Sequence, residues 1–209
     1  MRLALAGVLL IVAFASTLTI ETAHFVVVNK TTVGEDYMRA VATYLEEAYS
    51  TYKAVGLDLA PPCEGNKYQV YVVYARDFFG WIYYRYWYYE DTGVVVRTCV
   101  DRIEFAHKVP QNYIRPTAFH ELAHATQYAY YHSTVIASRH TWIQESHARA
   151  MEIRYGGRPC YYTFFEKMLY QRNPFSFELP VSQGPLPSEP YDYYPFFYWL
   201  LDRMSPVEV

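Results

Sequence analysis

Apolar and polar positions along the chain alternate in two distinct rhythms. His24-Phe25-Val26-Val27-Val28 is a β-branched run and predicts a strand. From about residue 37 to 55, Met38, Val41, Leu45, Ala48 and Tyr52 recur at steps of three and four, the spacing of a helix with one buried face. Gly34-Glu35-Asp36 opens that helix and Gly56 ends it. After an Ala60-Pro61-Pro62-Cys63 loop, residues 68–74 are apolar on both faces and predict a central strand. The aromatic run 81–89, the turn Glu90-Asp91-Thr92-Gly93 and the run 94–99 predict a β-hairpin. Ile103-Glu104-Phe105 predicts a further strand, followed by a loop over 110–116.

The rhythm then becomes helical again. Pro116 and Thr117 form an entry with Thr as N-cap, and from Ala118 to residue 131 there is neither Gly nor Pro. A second helix begins at Thr141-Trp142-Ile143-Gln144, which has the form of a capping box, and stops at Gly156-Gly157. Residues 160–170 predict a third helix, the Pro- and Ser-rich stretch 173–190 a long surface loop, and residues 191–204 a closing apolar helix. The pattern predicts an α+β fold, with a small mixed or antiparallel sheet packed on helices.

Length adds one domain, at 209 residues, and a 52% hydrophobic, 19% aromatic composition excludes a disordered chain. A net charge of −3 without a Lys/Arg cluster argues against nucleic acid as partner. Arg2, the apolar run 3–15 and Ala13-Phe14-Ala15 read as a cleavable export signal over residues 1–15, with the domain from 21 to 209. The rival reading is an anchor extending to residue 20, near the lower limit of about 18 residues for a span, and the only route to a membrane. Asn29-Lys30-Thr31 has the form of a glycosylation acceptor. Outside the cytoplasm two of Cys63, Cys99 and Cys160 can pair, and spacing does not choose between them.

The chemistry is concentrated in His120-Glu121-Leu122-Ala123-His124. On a helix, His120 and His124 stack on one face, one turn apart, and two such imidazoles can grip one zinc ion at about 2.0–2.1 Å. Glu121 is rotated roughly 100° away and can stand beside the metal as a general base. With seven His in the chain, random order would give about 0.02 such matches.

A catalytic zinc takes a third protein ligand. Gln127 and Tyr130 stand where the H-E-x-x-H-x-x-G-x-x-H pattern requires Gly and His, which excludes that arrangement. The remaining donors are His132, His140, Glu145, His147 and Glu152. Glu145 is selected because it lies in the first turn of a helix that a short loop folds back beside the motif helix. Glu152, two turns further and about 10.5 Å along the axis, cannot share the ion with it.

His120-Glu121-x-x-His124 followed by Glu145-Ser146-His147-Ala148 on a second helix resembles the gluzincin metallopeptidases, the thermolysin-like group. The His124–Gln127 and Trp142–Glu145 steps are similar to those of secreted zinc proteases in that group, and Tyr191-Asp192-Tyr193-Tyr194 resembles their Tyr-bearing helix start. Arg149 departs from the pattern, standing where the group carries a carboxylate that orients a His ligand. The resemblance implies a zincin-like fold with Zn²⁺ on His120, His124 and Glu145. It further implies peptide or protein substrates, Glu121 as base towards a zinc-activated water, and an oxyanion donor at Tyr191, with Tyr194 next. It also implies a cleft-edge strand to which substrate adds, assigned to residues 94–99. The competing expectation is an exported binding or surface protein whose zinc is structural, or whose catalysis is lost, and whose aromatic hairpin binds a glycan or partner.

Overall fold

The computed structural model of the chain describes residues 18–130, 141–157 and 194–209. The export signal, His132, His140, Cys160, the helix expected at 160–170, the loop 173–190 and Tyr191 lie outside the described residues.

Five strands form one mixed sheet, β1 (Thr19–Glu21), β2 (Phe25–Asn29), β3 (Tyr68–Val73), β4 (Gly80–Tyr88) and β5 (Val95–Ala106), in the order β1-β2-β3-β5-β4. The inner strands β2, β3 and β5 run parallel, and β1 and β4 pair antiparallel at the two edges. Among the described residues four helices accompany them: α1 (Glu35–Ala54), α2 (Gln111–Ala129), α3 (Thr141–Gly156) and α4 (Tyr194–Leu201). None of the described helices is long and apolar enough to cross a membrane.

The apolar repeat of α1 becomes its buried face, Met38, Val41, Ala42, Leu45, Ala48 and Tyr52. It packs against Phe25, Val27, Val70 and Val72 of the sheet and against α2, so one core joins the three elements. At about 25 cal/mol per Å² of apolar surface buried, each large side chain in it contributes roughly 1.5–3 kcal/mol. The Tyr52 hydroxyl donates to the Phe119 carbonyl at 2.7 Å inside that core, tying α1 to the middle of α2. Burial raises the Tyr52 hydroxyl well above its ordinary pKa, so it remains a donor.

Two sequence expectations are corrected. The runs 94–99 and 103–105 are one twelve-residue strand, β5, and it is an inner strand. Residues 103–106 pair with β3, while the Cys63–Cys99 disulfide and the paired backbones of Pro61, Cys63 and Val100 occupy the same side further back. The cleft-facing edge is therefore β4. The disulfide closes a loop with a sequence separation of 36, worth about 4 kcal/mol of chain entropy. The loop expected over 110–116 is helical: α2 starts at Gln111 with Pro110 as its cap and carries Pro116 inside. Pro116 forfeits one backbone hydrogen bond at a cost of about 3 kcal/mol, which burial of Ile114, Pro116, Thr117 and Ala118 offsets. The sheet begins at Thr19, with Leu18 and Ile20 packed against the core.

Gly156 and Gly157 divide two tasks. Gly157 has φ +75° and ends α3, whereas a Cβ on Gly156 would stand 3.1 Å from Phe119 Cβ and 3.2 Å from Pro116 Cα. That close approach presses α3 against α2.

Candidate metal centre

On α2 the rings of His120 and His124 lie 4.9 Å apart and nearly perpendicular. Helix α3 runs beside them and brings Glu145 between the two: Oε2 is 3.2 Å from His120 Nε2, and Oε1 is 3.6 Å from His124 Nε2. Among the described residues these three form the group able to hold a metal ion, with one ligand atom from each within 4.8 Å of the others. A tetrahedral zinc with bonds near 2.1 Å needs ligand atoms about 3.4 Å apart. The two separations from Glu145 lie on either side of that value, so the group could hold a metal ion.

The opposite nitrogen of each imidazole is also engaged. His120 Nδ1 lies 3.2 Å from Glu152 Oε2 and Nε2 lies 3.2 Å from Glu145 Oε2. Carboxylates only accept, so without a metal the imidazole donates from both nitrogens. A metal at Nε2 would displace the proton there, while Glu152 Oε2 holds the one on Nδ1. Arg149 Nη1 lies 3.1 Å from the same oxygen and compensates a charge that is almost completely buried. His124 Nδ1 lies 2.9 Å from Gln127 Oε1. The Gln127 amide nitrogen donates to the Gln144 carbonyl at 2.9 Å, which forces its oxygen towards His124, so His124 too is protonated on Nδ1. The amide's second N–H reaches His147 Nδ1 at 2.9 Å. His147 is therefore a neutral acceptor, and burial, with His124 adding, lowers it to about 4.

Replacing Gln127 by Leu keeps the volume and removes the acceptor. Zinc affinity, measured by competition with a chromophoric chelator, is expected to fall about 10–100-fold with the fold retained.

The electrostatics favour a cation at this point. Burial acts to lower His120, yet the hydrogen bonds it donates to Glu145 and Glu152 raise it to about 10. Burial also opposes ionisation of Glu145, but His120 and His124 hold its carboxyl far below the ordinary carboxylate range. Glu121, 4% exposed, is not part of the ligand cluster. Burial, with Glu145 and Glu152 adding and the imidazoles opposing, raises it to about 7.

His120, Glu121, His124, Glu145, Arg149 and Glu152 line one cavity of about 640 Å³, walled by α2 and α3 on one side and on the other by the start of β4 and the segment before it. Trp81, Tyr83 and Tyr84 make that second wall aromatic. Tyr84 stacks on Tyr128 at 3.9 Å, and Tyr128 in turn stacks on His124 at 6.2 Å.

The structure thus brings together His120, Glu121, His124 and Glu145. His147 stands behind Gln127, outside the ligand cluster. Tyr194 opens α4, half-buried against the core, and is not among the described residues lining the cavity. Arg149 pairs with Glu152, where helical spacing also allowed Glu145. Glu152 and Gln127 were missed as partners of the imidazoles. Their signals were helical spacing: Gln127 is three residues beyond His124, and Glu152 two turns beyond Glu145 on the same face. No family model, curated protein or solved structure matches the chain.

Proposed function

We propose that this chain is a zinc-dependent metallopeptidase of the gluzincin type, with a zincin-like fold, exported from the cytoplasm. The observation that carries the reading is the convergence of two imidazole Nε2 atoms on the Glu145 carboxylate beside a cavity that also holds the buried Glu121. A zinc ion held by His120, His124 and Glu145 would polarise a scissile carbonyl and make a water more acidic.

The remaining work falls to the protein's own groups. Glu121 takes a proton from the attacking water and returns it to the leaving amine. With zinc bound, Glu152 and Gln127 would accept from the Nδ1–H of the two imidazoles and leave each Nε2 to the metal. The outer edge of β4 borders the cavity and can accept an extended peptide as an added strand. Its aromatic side chains offer apolar contact on either side of the scissile bond. Tyr191 is the proposed oxyanion donor, on the resemblance alone. The Cys63–Cys99 bond supports an oxidising compartment.

A second reading, a binding protein that uses the aromatic hairpin for a glycan or protein partner, draws on the exposure of Trp87, Tyr88 and Tyr89. A purely structural zinc would carry four protein ligands, whereas the described cluster offers three and faces a cavity. Incubating the zinc-loaded protein with a mixed peptide library separates the two. Cleavage that stops with chelator and returns with zinc is the expected result. A folded protein that takes up no zinc, or cleavage unaffected by chelator, would falsify the zinc-peptidase reading.

A further inference from the structure

Gly80 is the first residue of β4, paired with Phe105 of β5, and it stands opposite α2 across the cavity. Its backbone does not require glycine: the positive-φ glycines of the described chain are Gly56, Gly65, Gly93 and Gly157. An L-residue could therefore adopt its conformation without strain. What the glycine provides is empty space. A Cβ placed on it would lie 2.5 Å from Glu121 Oε1, 2.7 Å from Cγ and 2.8 Å from Cδ, all shorter than real Cβ contacts allow. The end of the Glu121 side chain thus lies directly against the backbone of the edge strand. Glu121 is buried, and its helix is held by the core, so an added methyl group must push the carboxylate out of its present position rather than move α2.

We propose that Gly80 is a positioning residue for hydrolysis: the space left by its missing side chain is where the general base stands, and strand β4 sets its distance from the reacting atoms. The inference rests on Glu121 being the base. It separates Gly80 from Gly156, whose absent Cβ faces Phe119 and Pro116 and serves helix packing, and from Gly34, which has nothing within 4 Å.

The test uses the zinc-loaded full chain and a cleavable peptide. Gly80→Ala is expected to lower kcat by about 10²-fold or more, the contribution of a well-placed base, with KM and zinc stoichiometry unchanged. Gly34→Ala is expected to keep the wild-type rate. The second arm removes the clashing atoms. Glu121→Ala lacks Oε1, Cγ and Cδ, so adding Gly80→Ala to it is expected to cost no further loss of Tm. Wild-type kcat in Gly80→Ala would overturn the proposal, as would an equal Tm penalty in the Glu121 and the Glu121→Ala backgrounds. Failure of Gly80→Ala to fold in both backgrounds would overturn it too, since the clash would then lie elsewhere. If the wild-type protein binds zinc but cleaves no peptide, the hydrolase reading fails by itself. The clearance claim is then decided by Tm alone, through whether Glu121→Ala removes the cost of the alanine at position 80.

Discussion

Replacing Glu121 by glutamine is expected to leave zinc bound at wild-type stoichiometry and to remove peptide hydrolysis. The two side chains have the same shape, so the contact with Gly80 is preserved and only proton acceptance is lost. A general base contributes typically 10²–10⁴-fold, and the rate should fall by at least that much. Full activity in the variant would dismiss Glu121 as base. Stability moves the other way. Burial raises the Glu121 pKa from 4.5 to about 7, so the folded metal-free protein binds this proton more tightly than the unfolded chain. The difference costs stability progressively as pH rises from 4.5 through 7, and the whole cost is present above 7. Glutamine removes that cost. The metal-free variant should therefore gain in Tm relative to the metal-free wild type between pH 5 and pH 8, and a gap independent of pH would contradict the burial argument.

Removing the Glu145 carboxylate should have the largest effect on the metal. Glu145→Ala leaves two imidazoles and no anionic donor, and zinc affinity should fall by well over the roughly 10–100-fold that losing an outer partner costs. Glu152→Gln is the matched comparison. It retains a hydrogen-bonding group near His120 Nδ1 and should stay within that 10–100-fold range. Equilibrium dialysis against zinc reads both. Undiminished binding in Glu145→Ala, or a larger loss in Glu152→Gln, would exchange the roles of the two carboxylates. The distinction is geometric, since both touch His120 but at opposite nitrogens.

Much of this site was legible locally. The i and i+4 spacing of His120 and His124 places both on one face of any helix, and the short return to Glu145 predicts a neighbouring helix. Where α2 begins made no difference: moving its start from Thr117 back to Gln111 leaves the relative directions of residues 120, 121 and 124 unchanged. The partner of His120 was not legible in the same way. Helix rise correctly separates Glu145 from Glu152 along α3, but one imidazole is wide enough to touch both, one at each nitrogen. That result depends on the offset and closeness of two helices, which Gly156 permits through its contact with Phe119 and Pro116.

The division between the two levels has a physical cause. Periodicity and turn chemistry act over a few residues, and they were sufficient for β2, the buried stripe of α1, β3, the aromatic hairpin, the metal-motif helix and the Gly156-Gly157 stop. Strand order, the pairing of Cys63 with Cys99, the inner position of β5 and the edge position of β4 depend on segments far apart in the chain. So does the clearance between Gly80 and Glu121, 41 positions apart. Those relations are decided by which surfaces exclude water together, and that is a property of the packed chain rather than of any window along it.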